Sequence, residues 1–131
     1  MNTTIKTILI AILLPLSIFS QSKFKVTKCS SDLYMGGSWV TFQTNYPKTM
    51  LLDVDGNVFR INNADHSVYT LIGDSTVNNY LEYITYTWNA YDKDHKDCHA
   101  MITQLLNDDS TFYFSVFYEA KCYNWMLKEV N

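Results

Sequence analysis

Short runs of alternating apolar and polar residues, each closed by a turn signal, limit most sharply what this chain can fold into. The most secure case surrounds Asp55-Gly56. Residues 51–54 and 57–60 flank that pair, and Asp-Gly supplies the positive φ angles that a two-residue hairpin turn needs. In residues 80–90, Tyr80, Ile84, Tyr86 and Trp88 fall at even positions. That period of two fits a half-buried strand. Similar patterning predicts strands over 24–27, 39–44, 67–72, 98–106, 111–118 and 122–130. Turn signals separate them at Gly36-Gly37, 62–65, Gly73-Asp74, 91–97, 107–110 and 119–121. No window of helix length is amphipathic with caps, and only residues 75–83 compete as a short helical turn. About eight or nine strands joined by short turns make an all-β antiparallel meander. Closed, it is a small up-and-down barrel; open, it is a curled sandwich.

The first residues read differently. Lys6 precedes an apolar run over 8–18, broken by Pro15 and Ser17, and small Ser20 stands before Gln21. This is the pattern of a secretory signal peptide over residues 1–20, too short to span a bilayer as a helix. Residues 21–131 are then a single β domain of about 110 residues, enough for one hydrophobic core. The expected location is secreted or periplasmic, with no stable membrane insertion after cleavage. The formal charge of −3 becomes about −4 without Lys6. Acidic and basic residues are interspersed, and no basic patch of the nucleic-acid type occurs.

Cys29, Cys98 and Cys122 are the three cysteines. In an exported chain they allow one disulfide and one thiol. In a closed meander the first and last strands become neighbours, so a Cys29–Cys122 bridge would staple the seam. In an open sandwich all three thiols stay free.

Motifs for chemistry are sparse. Asp53-x-Asp55-Gly56 lacks the ligands of a calcium loop, since Leu51 and Asn62 would hold positions one and twelve. Asp92-x-Asp94 with Asp97 is interleaved with Lys93 and Lys96 and reads as a solvated loop tip. His95-x-x-Cys98-His99 lacks the first thiol of a haem-attachment site. Cys98 and His99 are adjacent in a predicted strand, so they point to opposite faces and do not share a metal. No nucleophile elbow or phosphate-cradling glycine loop is present. We therefore expect no enzyme activity, no cofactor and no metal. Carboxylate hydrolysis is a distant alternative, because such pairs are long-range in sequence.

Aromatic residues make up 15% of the chain. Most fit a β-rich core; those the core does not need would form a stacking surface. Trp39, Tyr91 and Tyr123 are the candidate ligand-facing rings. Gly37-Ser38-Trp39 resembles the Gly-x-Trp that opens the first barrel strand of lipocalins, which implies a small apolar ligand in a barrel mouth. More broadly, Trp39, Tyr46-Pro47-Lys48-x-Met50, Tyr86-x-Trp88 and the segment 92–98, with a leader ending Phe19-Ser20-Gln21, resemble small exported β-proteins common in Bacteroidota. That resemblance implies export and β content and carries no catalytic residue. The expected function is a non-enzymatic binding or structural role. The partner would be an unknown protein, a glycan or a small apolar ligand, the last corresponding to a lipocalin-like carrier.

Overall fold

The computed structural model describes residues 22–62, 67–108 and 110–130. Its strands are β1 (Ser22–Met35), β2 (Ser38–Asn45), β3 (Leu51–Asp55), β4 (Val58–Asn62), β5 (Ser67–Asn79), β6 (Tyr83–Asp92), β7 (Asp97–Leu105), β8 (Thr111–Phe117) and β9 (Lys121–Glu129). All pairings are antiparallel, in the order β2-β1-β3-β4-β5-β6-β7-β8-β9, and β1 also pairs with β9. That last pairing closes β1 and β3–β9 into an eight-stranded barrel and leaves β2 outside it. Closure is the expected alternative to the sandwich. No helix occurs among the described residues, so the helical turn considered for 75–83 does not form.

β1 makes this topology possible by its length. Its start, Ser22 to Lys25, pairs with β3, and its end, Cys29 to Met35, pairs with β2 along the same edge. Its other edge pairs with β9 from Phe24 to Leu33. The register slips between Val26 and Lys28, leaving Thr27 as an extra residue. Such a bulge shifts the inward set by one position. Phe24 and Val26 are buried before it, and Cys29 packs on the core after it. The sequence alternation stops at the same place, which is why a strand ending at Thr27 was expected. β5 behaves likewise. Its pairing with β6 is irregular between Ile72 and Thr76, where Gly73 takes φ 71°, and then resumes to Asn79. The turn at 62–65 lies largely outside the described residues. A two-residue hairpin forms here, displaced by one residue from the expected pair: Asp55 is the last paired residue of β3, opposite Val58, and Gly56-Asn57 makes the turn, with Gly56 alone at positive φ, 61°.

The barrel interior is filled. Phe59 stacks on Phe114 at 4.8 Å between ring centroids, and Phe114 on Trp125 at 5.7 Å. Phe24 meets Phe112 edge to face at 5.1 Å. Trp88 sits directly across from Ala100, whose small side chain leaves room for the indole. Both Trp88 and Phe114 belong to this core, as the alternation predicts.

Candidate functional site: the mouth of the barrel

Above the packed rings, one end of the barrel opens into a depression of about 680 Å³. Trp125, Tyr69 and Tyr123 line it together with Tyr118, which follows β8. Trp125 and Tyr123 project inward from β9, two residues apart, and their rings stack at 6.2 Å with 29° between planes. Tyr123 meets Tyr118 edge to face, also at 6.2 Å. The polar rim comes from elsewhere: Gln43 and Asn45 of β2, Ser31 of β1, Ser67 of β5, and the β6–β7 loop.

That loop is organised by Asp92. One carboxylate oxygen, Oδ1, accepts the backbone N–H of Asp94 at 2.9 Å and that of Lys96 at 3.0 Å. Oδ2 accepts the Tyr118 hydroxyl at 2.7 Å. The Asp92 carbonyl accepts the N–H of His95 at 3.0 Å, and His95 takes a left-handed φ of 61° to close the turn. Burial works against charge on Asp92. The Tyr118 hydroxyl, the two backbone N–H groups and the Lys96 ammonium outweigh it and hold the carboxyl below its usual range. Lys96 and Lys121 both approach the Tyr118 ring, at 5.3 and 5.8 Å from its centroid. Burial, followed by the bond to Asp92, pushes the Tyr118 phenol up. Burial likewise pushes Tyr69 up to about 12. At neutral pH Asp92 is therefore a fixed carboxylate and the Tyr69 and Tyr118 phenols keep their protons, with Asp94, Lys96 and Lys121 beside them on the rim. The mouth is built for hydrogen bonding and ring stacking.

Of the three rings expected to face a ligand, Tyr123 lines the mouth. Tyr91 lies between inward-facing Ala90 and Asp92, so it points outward, where it stacks on His95 at 5.4 Å. Trp39 stands on β2, outside the barrel, 5.3 Å from Tyr34 and 5.9 Å from Phe117. Asp92, Tyr118, Tyr69, Trp125, Lys96 and Lys121 line the mouth as well, beyond the rings expected from sequence. Two of them had a signal. Continuing the inward series Trp88, Ala90 gives Asp92, and continuing Phe112, Phe114, Val116 gives Tyr118.

The cysteine staple is corrected: all three thiols are free. The seam between β1 and β9 exists, but Cys29 lies opposite Trp125 while Cys122 lies opposite Asp32. Three strand positions are about 10 Å, beyond the Cα separation a disulfide tolerates. The two also face opposite ways, Cys29 toward the core and Cys122 toward the outer wall. There Cys122 donates to Asn124 Oδ1 at 3.5 Å. Burial, then the neighbouring Asp32 carboxylate, pushes its thiol up to about 12. Burial and the Asp92 charge push the Cys98 thiol up to about 11. Cys98 is buried and adjacent His99 is exposed, so the two do point apart. Among the described residues no group of three or more His, Cys, Asp or Glu is placed to hold a metal ion.

No protein-family model, curated protein or solved structure matches the chain.

Proposed function

We propose that this protein is a non-enzymatic binding module whose barrel mouth takes a small, polar, ring-bearing ligand of the glycan class. The observation that carries the reading is the convergence of Tyr118, Tyr123 and Trp125 with the fixed Asp92 carboxylate in one depression. A sugar ring offers a C–H face that stacks on aromatic rings and hydroxyls that pair with carboxylate, amide and ammonium groups. The filled interior argues against a deeply held apolar ligand. Phe59, Phe114 and Trp125 close the floor. An apolar molecule in the mouth would strip water from Asp92, Lys96 and Lys121 without replacing it. Export, expected from the leader, would set the mouth among extracellular or periplasmic glycans.

Saturation-transfer difference NMR with a panel of mono- and disaccharides tests this. Ring C–H protons of at least one sugar should be saturated by the protein, and Tyr123→Ala should remove the effect. Silence across the panel, with binding of lauric acid instead, would favour the apolar-carrier reading and overturn this one.

A further inference from the structure

β2 is a strand that the barrel does not need and does not cover. It pairs with β1 alone, and all eight of its residues are exposed. Natural edge strands are guarded by charge, proline or brevity. Ser38–Asn45 has none of these. No charged residue occurs from Leu33 to Pro47, the longest uncharged run after residue 22. The one irregularity, the extra Phe42 opposite the Ser31/Asp32 step, leaves the stretch from Ser38 to Thr41 regular. Phe42 is 72% exposed and Met35 58%, while Tyr34, Trp39 and Val40 are exposed to about half.

We propose that β2 pairs antiparallel, edge to edge, with β2 of a second copy of this chain. Charge selects this occupant. The chain is acidic overall, with a net charge of −3, and this uncharged edge lets a second copy approach without like-charge repulsion at the contact. The strand edge, with Trp39, Val40 and Phe42 beside it, is self-complementary under a two-fold axis. The apolar area on offer from the hairpin side chains is about 500 Å², since an aromatic side chain presents about 150–250 Å² in full. With the backbone edge added, it approaches the roughly 800 Å² per partner of a modest stable interface. β2 also lends Gln43 and Asn45 to the mouth. A dimer through β2 therefore sets two mouths on either side of one shared strand pair.

Sedimentation velocity of the purified protein across a hundredfold concentration range tests the pairing. The expected result is a shift from monomer to twice the monomer mass within that range. Val40→Lys and Phe42→Lys, both at exposed positions, should each hold the protein monomeric throughout and leave the urea midpoint of the monomer unchanged. A wild type that stays monomeric at every concentration overturns the proposal. So does a dimer that survives both substitutions, because it would form through another surface.

Discussion

Replacing Phe114 with alanine removes the ring on which the barrel interior converges. Phe114 is 0% exposed and has Phe59, Tyr69 and Trp125 within 4.8–6.0 Å of its centroid. An aromatic side chain buries about 150–250 Å². At about 25 cal/mol per Å², the part lost beyond the β carbon is worth roughly 2–3 kcal/mol. The cavity left behind adds roughly 1–2 kcal/mol, scaled by how far the neighbours can collapse. Here they collapse little, because the three rings belong to β4, β5 and β9 and each is anchored in its own strand. The expected cost is therefore about 4–5 kcal/mol, the upper part of the range for a core phenylalanine. With a urea m-value of about 2 kcal/mol/M for a domain of this size, the unfolding midpoint should fall by about 2 M. Equilibrium urea unfolding followed by tryptophan fluorescence reads this directly. A loss below about 1 kcal/mol, the level of a surface change, would refute the filled interior and restore room for a deeply bound ligand.

Three further outcomes follow from the same geometry, and a fourth from the leader sequence. The folded Asp92 carboxyl lies below its ordinary value, so its contribution to stability is complete above the unfolded value and is lost as pH falls through the folded one. Tyr118→Phe removes the donor to Asp92 and should shrink the difference in urea midpoint between pH 7 and pH 3; an unchanged difference would show that the bond does not hold the charge. Tyr69, pushed up to about 12 by burial, contributes stability that is complete below about pH 10 and falls as pH rises through 12; Tyr69→Phe should flatten the alkaline limb of the stability profile, and a limb of unchanged slope would contradict it. All three cysteines should alkylate after unfolding, and in the native protein half-buried Cys29 should react before buried Cys98 and Cys122; recovery of a Cys29–Cys122 disulfide-linked peptide would contradict the register between β1 and β9. Intact mass of the exported protein should show cleavage near residue 20, whereas a full-length chain held in membrane would refute the leader reading.

The fold was legible because its signals are local. Asp55-Gly56 announces a hairpin to within one residue, and Trp88 and Phe114 follow from a period of two. Legibility failed where alternation breaks without ending the strand. The bulge at Thr27 hides the second half of β1, and the irregularity at Gly73 hides the end of β5. The hidden half of β1 shapes the candidate site. The extension of β1 carries β2 outside the barrel and turns Cys29 and Ser31 toward the mouth. By its charged local neighbours alone, Asp92 reads as a solvated loop residue. The Tyr118 hydroxyl that fixes it arrives from 26 residues away. Trp125 and Tyr69 meet only because β9 and β5 face each other across the interior, and their rings approach to 5.9 Å. No spacing along the chain encodes that meeting.

The three tryptophans sit in three different places: Trp88 in the core, Trp125 on the floor of the mouth and Trp39 on the outer hairpin. Labelling with 5-fluorotryptophan gives each its own ¹⁹F resonance. Titration with the sugar that gives the strongest saturation transfer should move the Trp125 resonance and leave those of Trp88 and Trp39 in place. Movement of Trp88 would place the ligand inside the barrel, and movement of Trp39 alone would place it on the hairpin; either result would contradict a binding site in the mouth.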